Sequence, residues 1–314
     1  MHEEKFSPRW TAASFPPDVG KLAVVTCSTS GLGFEVALAL AQAGADVILA
    51  GRNQAEGHEA LSKIRPLAPQ ALVRFEKLEL GSLASVANFA ERLTNAGRPV
   101  DLLVNYACTL ALLSRQVTQD GFELHLGNNY LGHFALTARL LPLLRLSRLP
   151  KVVQVTSPGR HHGEINLNDL QMERGFTPLK AYSQSKLATL IFSLELQRQS
   201  DARRWGLVGT AAQPIGAHAA LIANAPEVTG SQGWYRRALG LVPDRSTGGT
   251  LKALVVSNPP KDAVAADHSG AKRLIDLIGP PVSEALDLRA LDPVMGRALW
   301  DASTSLTGVE WPAD

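Results

Sequence analysis

Short runs of aliphatic and β-branched residues alternate along this chain with longer segments whose apolar positions recur every three or four residues. "KLAVVTC" (21–27), "ADVILAG" (45–51), "LVRFEKLEL" (72–80), "VDLLVNYA" (100–107), "KVVQVTS" (151–157) and "LVGTAAQP" (207–214) predict six strands. Between them, residues 31–43, 53–64, 82–93, about 120–147 and about 180–200 predict helices. Leu32, Val36 and Leu40 mark the buried face of the first, and Ser82 is placed to cap the third. Strands that alternate with helices pair in parallel through right-handed crossovers, so the pattern predicts an α/β fold on a doubly wound parallel sheet. No repeat, low-complexity tract or linker divides the chain. One domain over 21–314 is expected, after an extended arm over 1–20 that contains "FPPDVG". The mixed, glycine-containing stretch 215–245 predicts a small cap rather than a sheet element.

Composition narrows the partners. With 314 residues, 45% hydrophobic and 19% charged, the chain can bury a large core. A net charge of +2 from interspersed acids and bases gives no field that would draw nucleic acid or an anionic membrane. Two cysteines, Cys27 and Cys108, are too few for a disulfide framework and suit a reducing compartment. "MHEEKFSPRW" has acids where a secretion signal carries bases, and it lacks an apolar core. "HFALTARLLPLLRLSRL" (133–149) is interrupted by Arg139, Pro142 and Arg145 and is too short for a membrane span. A cytoplasmic protein is expected.

Candidate chemistry begins at "TCSTSGLG", the turn formed by Thr26, Cys27, Ser28, Thr29, Ser30, Gly31, Leu32 and Gly33. Glycines in such a turn let the backbone approach a phosphate, and the helix that follows offers free N–H groups. An ordinary strand–helix turn has the same look, but the place after the first strand of an α/β chain favours a dinucleotide. The second strand ends "LAGRN". A carboxylate there would take the ribose 2′-hydroxyl of NAD, whereas arginine pairs with the 2′-phosphate of NADP. Ala50 at the strand end and Arg52 beyond it point to NADP(H). In "AYSQSKLA" (181–188), Tyr182 and Lys186 are four apart on one helix face. A neighbouring ammonium favours the phenolate and brings a tyrosine down from its usual pKa of about 10, into the range of acid–base work. Ser157 ends the fifth strand, on the side where open α/β sheets bind ligands, although "TSPG" would also make a plain turn.

Together with "NNYLGHFALT" (128–137) and "HHGEINLNDLQ" (161–171), these residues resemble the short-chain dehydrogenase/reductase family, in particular its branch of retinol dehydrogenases and protochlorophyllide-reductase-like enzymes. The likeness runs from "RWTAASFP" (9–16) to "LWDASTSLTGV" (299–309). It implies a Rossmann fold and a catalytic set of Asn129, Ser157, Tyr182 and Lys186. In that set Ser157 and Tyr182 bind the substrate oxygen and Tyr182 passes the proton. Lys186 also holds the nicotinamide ribose, and Asn129 orients water towards Lys186. The resemblance further implies NADP(H) contacts from Thr26, Ser28, Thr29, Ser30, Gly31, Leu32, Gly33, Arg52, Asn53, Asn105, Ala107, Tyr182, Lys186 and Pro214. Glu79 and Leu80 take the place of the family's adenine-binding Asp-Leu pair. Three family glycines are replaced: "TGANSGLG" is "TCSTSGLG", "NNAG" is "NYAC" and "HPG" is "QPI". Cys27, Cys108 and Ile215 therefore stand where backbone and cofactor approach closely, and weakened cofactor binding is expected. Ile215 tolerates positive φ poorly, and Gly216 offers to take the turn one residue later. In the family's strand order Cys27 and Cys108 lie along one edge.

Other features carry less. His133, His161 and His162 have no carboxylate or cysteine at ligand spacing, so no metal is expected. Trp234 and Tyr235 either line an apolar pocket or pack. The apolar stretches 131–146 and 187–196 either fill the core or join subunits of a homodimer or tetramer. The expected function is NADP(H)-dependent interconversion of a carbonyl and an alcohol on an apolar small molecule. A pseudoenzyme or binding protein, or an isomerase or cyclase using Tyr182, is the alternative that the lost glycines support; the intact catalytic set favours the oxidoreductase.

Overall fold

The computed structural model describes residues 19–106, 114–213, 266–268 and 288–312. Its strands are β1 (Leu22–Thr26), β2 (Asp46–Gly51), β3 (Val73–Lys77), β4 (Leu102–Tyr106), β5 (Lys151–Val155), β6 (Val208–Gln213) and β7 (Ala266–His268). They form one sheet in the order β3-β2-β1-β4-β5-β6-β7, parallel throughout. β1 and β5 are buried along their whole length, which is why they read as unbroken apolar runs. The helices are α1 (Gly31–Gln42), α2 (Gln54–Ile64), α3 (Leu83–Ala96), α4 (Gly132–Leu144), α5 (Pro178–Ala202), α6 (Leu288–Leu291) and α7 (Pro293–Thr307).

Each sheet face carries its own core. Val36 and Leu40 of α1 and Leu61 and Ile64 of α2 pack on Val25, Val47 and Leu49. On the other face, α3, α4 and α5 pack on Val24, Leu103 and Val152. From β1 the chain builds outward through β2 and β3, then crosses back to β4 and builds the other way. The helices that follow β1 and β4 lie on opposite faces of the sheet, so the winding reverses at the carboxyl ends of this pair, the usual ligand position in such sheets.

Local signals set the helix ends. Asn53, Ser82, Thr177 and Asp292 cap α2, α3, α5 and α7 through side-chain oxygens, and Pro follows directly after Thr177 and Asp292. Gly97 and Gly308 end α3 and α7 in the left-handed conformation.

The single helix expected over 120–147 is instead a turn, a π-helical turn at Leu126–Leu131, and then α4. Gly121 has φ +83°, and the Glu123 carboxylate accepts the N–H groups of His125 (3.0 Å) and Leu126 (2.8 Å). Those bonds fix the helix start after Glu123. The third strand also ends early, at Lys77 rather than residue 80, because Ser85 Oγ draws the Glu79 N–H into a turn (2.9 Å). The apolar faces of α4 and α5 are covered within the chain. Leu187, Leu190, Ile191 and Leu194 are all buried, and α7 lays Trp300 against Phe134 and Phe192. No helix among the described residues is long and apolar enough to cross a membrane.

Candidate active site

Tyr182 and Lys186 lie one turn apart on α5, and both are buried. The Lys186 ammonium sits 5.8 Å from the centre of the Tyr182 ring and donates to the carbonyl of Val155, at the end of β5 (3.3 Å). Thr156 Oγ1 donates to the Lys186 carbonyl (2.9 Å), pinning the helix to the chain that leads from β5, which ends at Val155 and not at Ser157, into the next turn. Ser157 is buried, and its hydroxyl accepts the Gly159 N–H at the start of a 3-10 turn over Pro158–His162 (3.3 Å). That turn is clamped in place by Arg289 of α6, which donates to the carbonyls of Gly163 and His161.

Asn129 reaches α5 from the π-helical turn. Its amide donates to Ser185 Oγ (3.0 Å), and Ser185 donates to the Tyr182 carbonyl (2.7 Å). The extra backbone residue of a π turn re-aims the groups on it, a recurrent device at functional sites. The Asn129 carbonyl faces His133 Nδ1 (3.1 Å), while His133 Nε2 meets the Thr26 hydroxyl (2.8 Å). A carbonyl only accepts, so Nδ1 carries the proton and Thr26 donates to Nε2. Burial pushes the pKa of His133 down to about 4, with the Lys186 charge acting the same way against the bond to Asn129. The imidazole is therefore neutral at pH 7, and it ties the end of β1 to the Asn129 turn.

Nothing in the local pattern around His133 or Ser185 revealed these bonds. They join residues 107 and 56 positions apart. A second buried pair was also missed. Glu123 Oε1 accepts from His125 Nδ1 (2.8 Å), and the His125 ring stands edge-on to Tyr182 at 6.3 Å. Burial alone would raise the Glu123 carboxyl, but its bonds from the imidazole and from the His125 and Leu126 N–H groups hold it below the usual carboxylate range.

The turn after β1 has the features of an anion cradle. Ser30 caps α1 without a side-chain bond, no acid occupies the first helical turn, and Gly31 has φ +59°. The first-turn N–H groups are thus left for a phosphate. A Cβ on Gly33 would stand 2.4 Å from the Cys27 carbonyl, so this glycine is required for closure. These residues fit a dinucleotide. Cys27 itself has φ +49°, the left-handed conformation that glycine adopts without cost. The family's turn is thus kept with a side chain in place, half-buried and packed against both cores. Cys27→Gly is expected to change stability by no more than about 1 kcal/mol, because relief of left-handed strain is offset by lost packing and a freer unfolded chain. Its dinucleotide affinity should rise by roughly threefold or more, about 0.7 kcal/mol, as a Cβ leaves the cradle. Unchanged affinity in a calorimetric titration would show that the thiol does not obstruct.

The other expected contacts divide. Gly31, Leu32 and Gly33 open α1, and exposed Arg52 and Asn53 follow β2. Thr26, Ser28 and Asn105 are fully buried, with their side chains turned inward. Ser28 donates to the Val25 carbonyl (2.7 Å), and Asn105 donates to Thr137 (3.0 Å). Any contact from Ser28 is therefore through its backbone. Glu79 turns one carboxylate oxygen back onto the Gly81 N–H (3.1 Å), and Leu80 is buried. Ala107, Cys108, Pro214, Ile215, Gly216, Trp234, Tyr235 and the cap over 215–245 lie outside the described residues, as does nearly all of the arm over 1–20.

A phosphate cradle at the switch point of a doubly wound sheet, beside a buried Tyr–Lys pair, marks a nicotinamide-dependent oxidoreductase of CH–OH and C=O groups. The chain belongs to the short-chain dehydrogenase family, whose model, described as short chain dehydrogenase, matches residues 21–214. It is 36% identical over 302 residues to mouse (Mus musculus) polyprenol dehydrogenase, covering 93% of this chain and 85% of that protein. It is 39% identical over 180 residues to human (Homo sapiens) retinol dehydrogenase 12, an alignment that spans only 57% of either protein. A crystal structure of an uncharacterized protein from Mycobacterium paratuberculosis matches with a TM-score of 0.76 and 34% identity over 97% of this chain and 100% of that one.

Proposed function

We propose that this protein is an NADP(H)-preferring dehydrogenase that interconverts an apolar alcohol, of the polyprenol or retinol kind, with its carbonyl. The observation that carries this reading is the buried Tyr182–Lys186 pair: the Lys186 ammonium lies 5.8 Å from the centre of the phenol ring and is bonded to the end of β5, while Asn129 is tied to the Tyr182 carbonyl through Ser185. When bound, the nicotinamide would supply or take up the hydride. Tyr182 Oη would pass a proton to or from the substrate oxygen, with Ser157 Oγ sharing that oxygen. The Lys186 ammonium, beside the phenol ring, favours its ionised form and would hold the nicotinamide ribose. Asn129 keeps α5 in register through Ser185. The first-turn N–H groups of α1 would take the pyrophosphate, and Arg52 the 2′-phosphate through a charge-assisted contact. Polyprenol and retinol, the alcohols in the names of its relatives, give the substrate its apolar character.

The test is oxidation of retinol and of a polyprenol by the purified full chain with NADP or NAD, followed at the nicotinamide absorbance. No reduced cofactor formed from either alcohol, together with no carbonyl reduced in the reverse direction, would sink the reading. Arg52→Ala should weaken NADP(H) by about tenfold, about 1.4 kcal/mol, and leave NAD(H) nearly unchanged. Equal affinity of the parent and this variant for NADPH removes Arg52 from the cofactor site.

A further inference from the structure

Arg52 does not stand alone at the ribose end of the cradle. Glu56, in the first turn of α2, accepts the Thr29 hydroxyl at Oε2 (3.2 Å) and the Asn53 amide at Oε1 (2.9 Å). Thr29 belongs to the phosphate turn, and Asn53 caps α2 by accepting the N–H groups of Ala55 and Glu56. Gly51 closes this patch, since a Cβ on it would meet Thr29 Cγ2 at 3.0 Å. Asn53 and Glu56 occupy the positions of a capping box, in which the acid turns back to the backbone N–H of the cap residue. Here the carboxylate is turned across to the phosphate turn instead. A fixed, exposed negative charge thus spans the seam between the β1–α1 turn and the end of β2, four residues from Arg52.

We propose that Glu56 is a specificity-determining residue that opposes Arg52, repelling a 2′-phosphate and accepting a ribose 2′-hydroxyl, so that the chain uses NAD(H) as well as NADP(H). The inference rests on the reading above, that the cradle holds a dinucleotide with its ribose facing Arg52. Its physics is simple. A 2′-phosphate brings about two negative charges beside the carboxylate, whereas a 2′-hydroxyl brings a donor that the carboxylate can accept. Thr29 and Asn53 aim the charge. Because the site is exposed, its influence is moderate and falls with salt.

The experiment is calorimetric titration of the full chain with NADPH and with NADH, for the parent, Glu56→Gln and Arg52→Ala, at low and at high salt. Glu56→Gln keeps the size of the side chain and removes its charge. It should tighten NADPH by roughly fivefold to tenfold at low salt, leave NADH unchanged or a few-fold weaker, and lose most of the gain at high salt. A thermal melt of each variant separates this from a loosened α2, since a capping defect would lower the melting temperature and weaken both cofactors together. If Glu56→Gln leaves the NADPH:NADH ratio at the parent value while Arg52→Ala lowers it, Glu56 has no part in the choice and the cofactor reading stands. If the parent binds neither cofactor, or Arg52→Ala leaves the ratio unchanged, the cofactor reading fails and takes this inference with it.

Discussion

Tyr182→Phe is expected to lower turnover by about 10²–10⁴-fold, roughly 3–5 kcal/mol of barrier, with fold and cofactor affinity nearly unchanged. The substitution is clean because the surroundings of Tyr182 grip its ring. His125 meets the ring edge-on at 6.3 Å, the Lys186 ammonium lies 5.8 Å from its centre, and the residue is only 3% exposed. Phenylalanine keeps both contacts and the helical position, so α5 and its bonds to Thr156 and Asn129 should persist. Only the Oη atom goes, and with it the group proposed to pass the proton to or from the substrate oxygen. Steady-state rates with the alcohol turned over by the parent would read the loss, and a cofactor titration would show the site intact. Near-normal rates in this variant would take Tyr182 out of the chemistry and leave Ser157 without its partner.

The parts of this protein legible in its sequence are those encoded over short distances. Strands buried on both faces appear as aliphatic runs, so β1, β2, β4, β5 and β6 were located within two residues at each end. The Tyr182–Lys186 pair is likewise local, four residues apart on one helix. What joins the site together is not local. The bonds from Thr26 to His133 and from Asn129 to Ser185 depend on how β1, the π-helical turn and α5 meet, and no periodicity encodes that meeting. The π turn was invisible for a related reason. It adds a backbone residue without interrupting the apolar pattern, so "LGNNYLGHFALT" reads as one helix with what precedes it. Cys27 shows the opposite case. Its replacement of glycine was plain in the sequence, but only the structure shows that the chain accepts φ +49° there and keeps the turn. β7 has three residues and no pattern to find.

Phe134→Ala is expected to cost about 3–5 kcal/mol of stability, the usual loss for a large aromatic removed from a well-packed core. Phe134 is fully buried in α4, with ring centres at 5.2 Å from Phe192 of α5, 5.2 Å from Trp300 of α7 and 5.1 Å from Trp311. Tyr130, one turn earlier, stands 6.1 Å away and bonds through its hydroxyl to Ser303 of α7 (2.6 Å). One ring thus fastens two central helices to the C-terminal segment, and none of these partners can fill its place without leaving another. Denaturant unfolding should show a lower midpoint at an unchanged slope, as for a loss of stability without a change in the surface exposed. The damage should also reach the site. Phe134 lies five residues beyond Asn129, and looser packing of α4 would let the Asn129–Ser185 bond open before the whole chain unfolds. Activity should therefore be lost at a lower denaturant concentration than secondary structure in this variant, whereas the two should fall together in the parent. A loss below about 1 kcal/mol would mean that the cavity collapses easily. The C-terminal segment would then be held by its other contacts, among them Trp300 and Trp311 against Phe192 and the Tyr130–Ser303 bond.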